Sequence, residues 1–107
     1  MKKKLYIAGK VTGLPQEDVS QKFAYAAKFF EQKGFAPVNP IQVVDNVNAT
    51  WQEAMKKCIA ALMECDAVFV LPDALQSKGA KLELKLARKM GIPAFESGWL
   101  LCKHFEK

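Results

Sequence analysis

Apolar residues follow two rhythms along this chain. Leu5-Tyr6-Ile7-Ala8-Gly9 and the run from Asp66 to Leu71 are short and apolar on both faces, as strands inside a parallel sheet are. Phe35 to Asn39 and Ile92 to Phe95 read as two shorter strands, and Pro37 argues for an edge position. Between them the spacing changes to that of helices. Val19, Phe23, Ala26, Ala27 and Phe30 mark a first helix, expected to start near Asp18 with a capping-box spacing to Gln21 and to stop at Gly34. Ile41 to Asn48 reads as an irregular connection with room for a helical turn. Thr50-Trp51-Gln52-Glu53 is a capping box that opens a helix with Met55, Ile59, Leu62 and Met63 inward and Cys58 flanking that stripe. Pro72-Asp73 ends the central strand, and a loop over 74–79 leads into a helix stopped by Gly91. The tail, Gly98 to Phe105, reads as a short amphipathic helix with Trp99, Leu100 and Leu101 to bury.

Strands alternating with helices predict an α/β fold, a three-layer Rossmann-like or flavodoxin-like arrangement with a parallel sheet of four to five strands flanked by helices. A length of 107 residues predicts one domain over 1–107. In such sheets ligands bind beyond the carboxyl ends of the strands, where the strand order reverses. Two segments satisfy that rule: Gly9-Lys10-Val11-Thr12-Gly13 and Pro72 to Gly79. If the strands before them are neighbours, Tyr6, Gly9, Ser77 and Glu83 border one crevice.

One charge breaks the helical pattern. On a wheel of about 100° per residue, Glu83 lies about 60° from Ala80, inside the arc of Leu84, Ala87 and Met90, with Lys78, Lys81, Lys85, Arg88 and Lys89 opposite. An ionised carboxylate is seldom buried without a partner or a task. Glu83 is thus either a functional acid in a crevice or an edge side chain that reaches solvent or a lysine. Ser77 is either a plain helix cap or the rim of an anion seat made by free backbone N–H groups. Gly9 and Gly13 are either a simple turn or a place where backbone approaches a ligand. Asp73 is a turn residue or an alternative acid.

Composition narrows the classes. Half the residues are apolar and a quarter are charged, as in ordinary globular proteins. The net charge of +5 is spread over helix faces and a Lys2-Lys3-Lys4 start; nucleic acid is not expected as a partner, because no basic-aromatic or helix-turn-helix pattern accompanies it. Cys58, Cys65 and Cys102 form no CxxC pair, and His104 is the only histidine. These features predict reduced thiols in a cytoplasmic protein, no metal and no cofactor. No stretch reaches the roughly 18 apolar residues of a membrane span.

Several of these residues also carry a family likeness. Tyr6-Ile7-Ala8-Gly9, Val38-Asn39-Pro40, Cys65-Asp66-Ala67-Val68 with Leu71-Pro72, and Ser77-Lys78-Gly79-Ala80-Lys81-Leu82-Glu83 occur in that order. Together they resemble the nucleoside 2-deoxyribosyltransferase-like superfamily, within it a small branch of bacterial and phage proteins related to the 2'-deoxynucleoside 5'-phosphate N-hydrolases. The likeness extends to about Gly91. It implies a Glu83 nucleophile oriented by Tyr6, and sugar-phosphate contacts from Gly9, Lys10, Thr12, Gly13, Ser77 and Gly79. It further implies a small-molecule nucleoside or nucleotide substrate, a homodimer, and cleavage of an N-glycosidic bond by hydrolysis or transfer. The pattern departs from the superfamily at Cys58, where an aspartate assists departure of the base. It departs again in the first loop, where Lys10 and Thr12 replace a phosphate-binding arginine, and in the turn, where SxGxG becomes Ser77 to Lys81. No residue in 97–107 matches the one often lent by a neighbouring subunit. The alternative expectation is a non-catalytic nucleotide-binding module of the same fold; a third is an interaction protein that uses its basic faces.

Overall fold

The structure is a computed structural model that describes residues 2–46 and 48–106. Among these, four parallel strands form one sheet in the order β2-β1-β3-β4, with β1 at Lys4–Ala8, β2 at Ala36–Val38, β3 at Ala67–Val70 and β4 at Ala94–Phe95. Five helices flank it: α1 (Gln16–Gln32), α2 (Pro40–Val44), α3 (Trp51–Met63), α4 (Lys78–Lys89) and α5 (Gly98–His104). A single 3-10 turn, Ala74–Gln76, precedes α4. The α/β, Rossmann-like expectation holds.

The order places β1 and β3 side by side, Tyr6 opposite Val68 and Ala8 opposite Val70. The chain leaves β1 towards β2 on one side and returns to β3 on the other, so the strand order reverses between β1 and β3. β2 is an edge strand, which leaves Pro37 compatible with the ladder.

Alternation along the strands divides the core into layers. Tyr6, Ala8, Val68 and Val70 face α3 and α4, where Cys58, Leu62, Ala80, Leu84 and Ala87 meet them. Leu5 and Ala67 pack with Phe30 of α1 and Leu101 of α5, and Ile7 packs with Val19, Phe23 and Ala26.

Helix ends follow local chemistry. Thr50 and Glu53 complete a reciprocal capping box. Asn39 accepts the Ile41 N–H at 3.0 Å, and Pro40 occupies the first position of α2, so the expected helical turn is a short helix. Gly91, at φ +74°, follows α4 and turns the chain back towards the sheet.

Three expectations change. α1 begins at Gln16 with Pro15 as its N-cap and no side-chain cap, so Asp18 lies inside the first turn. Proline fixes the φ needed to enter the helix, and an acid in the first turn is favourable against the helix dipole without capping it. In α3 the inward residues are Met55, Cys58 and Leu62, whereas Met63 is exposed. In α5 only Leu101 is buried; Trp99 is 67 % and Leu100 52 % exposed. A helix of two turns lying on β4 and α1 turns one narrow stripe inward, and Leu101 occupies it.

Candidate active site

The misplaced acid of α4 is buried, at 6 % exposure, and it has a partner. The Tyr6 hydroxyl, rising from β1 on the same face of the sheet, donates to Glu83 Oε2 at 2.7 Å. Tyr6 itself is wholly buried. Glu83 accepts no other hydrogen bond from the described residues, and among those no wholly buried side-chain oxygen lacks a partner. Its second oxygen, Oε1, therefore keeps an opening outward. One oxygen is fixed and the other is free, an arrangement suited to attack or proton transfer.

The electrostatics follow from burial. Loss of water raises the Glu83 carboxyl from its ordinary 4.5 to about 7, against the downward pull of the Tyr6 hydroxyl. Tyr6 is pushed far upward, by burial first and the Glu83 carboxylate second, so it stays a donor. Cys58 of α3 belongs to the same cluster. Burial raises its thiol; the Tyr6 hydroxyl opposes that rise and Glu83 adds to it. The thiol is neutral, and with no second acid this pocket holds one carboxyl, not two.

Ser77 is the N-cap of α4. Its Oγ accepts the Ala80 N–H at 3.1 Å. The Lys78 and Gly79 amides stand at the start of the helix, where no intrahelical acceptor exists for them. Beside them Lys78 Nζ lies 4.8 Å from the centre of the Trp51 ring, which brings a cation to the start of α4.

Two of the three expected glycines, Gly9 and Gly79, are confined by packing. A Cβ on Gly9 would lie 2.6 Å from Leu71 Cδ1 and 3.1 Å from Phe23 Cζ. One on Gly79 would lie 2.9 Å from Met55 Sδ, so this glycine lets α4 approach α3. Gly13, at φ +86°, is an exposed turn residue, and Thr12 is exposed beside it. The structure joins Tyr6 to Glu83 directly; it places Thr12 and Gly13 on the outer part of the loop.

Asp73 is neither a bare turn residue nor a free acid. Its Oδ1 accepts the Lys10 N–H at 3.0 Å, and its Oδ2 accepts from Lys22 Nζ at 2.6 Å. Lys22 also donates to the Lys10 carbonyl at 2.8 Å. Burial pushes the Asp73 carboxyl up, but these donors outweigh it and hold it below the usual range. The three residues tie the loop after β1 to the loop after β3. Sequence reasoning missed Lys22 and Trp51. Lys22 is one of many helix lysines, and Trp51 reads locally as the first residue of α3; nothing in their spacing marks them.

A separate groove lies away from this pair. It encloses about 790 Å3 between α1, α5 and the end of β3, lined by Tyr25, Phe29, Leu71 and Trp99 among others, and it touches neither Tyr6 nor Glu83. Hydrogen bonding and burial, not cavity size, single out the Tyr6–Glu83 pair. Among the described residues no three His, Cys, Asp or Glu side chains gather as metal ligands, and no helix is long and apolar enough to cross a membrane.

No curated protein matches the chain. The sequence profile of one family, described as a domain of unknown function (DUF4406), matches residues 3–95. That span holds the whole sheet, the loops beyond β1 and β3, and the Glu83 helix. The chain belongs to the DUF4406 family.

Proposed function

We propose that this protein cleaves the N-glycosidic bond of 2'-deoxynucleosides or their 5'-monophosphates. The observation that carries the reading is the Tyr6–Glu83 hydrogen bond of 2.7 Å, made inside the sheet's switch point with one carboxylate oxygen left open. Glu83 attacks the anomeric carbon, the base departs with the bonding pair, and a glycosyl ester forms. Water, or a second base, then displaces the carboxylate. Tyr6 holds Oε2 so that Oε1 meets the sugar. Ser77, the first amides of α4 and Lys78 form a seat for a 5'-phosphate. The resemblance in Tyr6 to Gly9 and Ser77 to Glu83 supplies the substrate class, and with it a homodimer and a cytoplasmic setting.

A second reading keeps the ligand and drops the reaction. Cys58 is its support: a neutral, buried thiol stands where the resemblance expects the acid that protonates the leaving base. The crevice would then bind a nucleotide without turning it over.

Incubation with the deoxynucleosides and their monophosphates, followed by chromatography for free base, tests both. Base release that Glu83→Gln abolishes supports the glycosidase. Binding without release supports the module. Neither binding nor release refutes both.

A further inference from the structure

We propose that Lys22 and Asp73 are positioning residues that hold Lys10 at the mouth of the crevice, where its ammonium meets the 5'-phosphate of a nucleotide. The inference rests on the crevice being a nucleotide site, and it names the residues that make that site prefer a phosphorylated ligand.

Lys10 is gripped by its backbone on both sides. Its N–H donates to Asp73 Oδ1 at 3.0 Å, and its carbonyl accepts from Lys22 Nζ at 2.8 Å. Lys22 Nζ and Asp73 Oδ2, 2.6 Å apart, close the ring. The grip begins where the β1–β3 ladder stops. The Leu71 N–H still donates to the Ala8 carbonyl at 2.8 Å, but the Leu71 carbonyl accepts from the Ala74 N–H. The Lys10 N–H therefore takes a side-chain acceptor in place of the next rung. Against the burial of its carboxyl, these donors hold Asp73 below the usual range, so it stays ionised at neutral pH.

The grip leaves the Lys10 side chain free. Alternation from Tyr6 and Ala8 carries position 10 to the face of the sheet that α3 and α4 cover, the face of Glu83. Lys10 is half-buried, and among the described residues its ammonium has no hydrogen bond or ion pair. Beyond it the chain turns outward. The Leu14 N–H donates to the Val11 carbonyl at 3.4 Å, and Gly13 at φ +86° closes an exposed turn. Lys10 is thus the one cation that this loop brings to the carboxyl ends of β1 and β3. A cation fixed through its backbone loses less entropy when it pairs with an anion.

Calorimetric titration of the full chain with the 2'-deoxynucleosides and their 5'-monophosphates tests this, in a Glu83→Gln background so that no turnover intervenes. That background should bind a monophosphate about tenfold more tightly than its nucleoside, and Lys10→Met should remove the preference. Asp73→Ala and Lys22→Met should each weaken the monophosphate about fivefold and leave the nucleoside within about twofold. Lys22→Arg, which still donates to both acceptors, should stay within about threefold for both ligands. Asp73→Ala is the most telling variant. It removes a negative charge, so net charge alone would tighten an anion, and tightening overturns the proposal. A loss shared equally by the nucleoside, as a merely structural tie would give, overturns it too. So does a Lys22→Met loss that persists undiminished in the Lys10→Met background. The nucleoside affinity verifies folding, and if Asp73→Ala does not fold, Lys22→Met carries the same expectation. If neither ligand binds the background protein, the nucleotide reading fails and this proposal with it. Monophosphate binding that is indifferent to Lys22 and Asp73 overturns this proposal alone.

Discussion

Replacing Glu83 by glutamine should make this protein more stable above neutral pH and remove its proposed activity. The carboxyl titrates at an ordinary 4.5 in the unfolded chain and at about 7 when folded. Between those values the folded state retains a proton that the unfolded chain has released. Stability therefore falls as pH rises through that window and levels off above it; below the lower value nothing is lost. Each pH unit of displacement is worth about 1.36 kcal/mol, so the buried charge costs on the order of 3 kcal/mol at pH 8. An amide of the same shape keeps an oxygen for the Tyr6 hydroxyl and carries no charge. Its own NH2 must be desolvated, which returns about 1 kcal/mol. The variant should thus gain about 2 kcal/mol at pH 8 and lose about 1 kcal/mol at pH 4. Urea unfolding followed by far-UV circular dichroism, at intervals from pH 4 to 8, measures the difference. A stability difference that does not change with pH would refute the reasoning, as would a variant less stable than the parent at pH 8. Either result would mean that the open Oε1 is solvated well enough to hold the carboxylate ionised at ordinary pH.

Tyr6→Phe removes the donor that pulls the Glu83 carboxyl down, so that group should titrate above about 7, seen in a carbon-13 titration of the side chain and as an upward shift of the rising limb of kcat/KM. The two packed glycines should differ under alanine substitution in chemical unfolding. Gly9→Ala meets Leu71 and Phe23 inside the core and should cost about 2 kcal/mol, whereas Gly79→Ala meets the flexible end of Met55, gains helix propensity and should stay within about 1 kcal/mol of the parent.

The elements were legible because their signals are local. Thr50 and Glu53 lie three positions apart, within reach of one another in any helix that starts there. Glu83 stood out on its own helix through period alone. The start of α1 was not legible in the same way: the Asp18–Gln21 spacing imitates a cap, and Pro15 three residues earlier takes the position. The exposure of Trp99 and Leu100 is not legible in the sequence, because an apolar residue on a helix says that a partner face is wanted, not whether the same chain supplies it. The sequence sets Cys58 only at the flank of the α3 stripe, and the fold puts it in the core beside Tyr6.

The candidate site divides along the same line. Residue order alone determined the alternation of strands and helices, the caps at Ser77 and Thr50, and an acid on the apolar side of α4. Those depend on neighbours a few positions away, through backbone geometry that any chain shares. Only the tertiary structure decided that Tyr6 reaches across 77 positions to Glu83, and that Lys22 and Asp73 hold two loops together from 51 positions apart. Those contacts follow from β1 lying next to β3, a choice made by the packing of the entire core. The raised carboxyl of Glu83 follows from the same choice, since burial sets its charge and no local pattern encodes how much water a folded chain excludes.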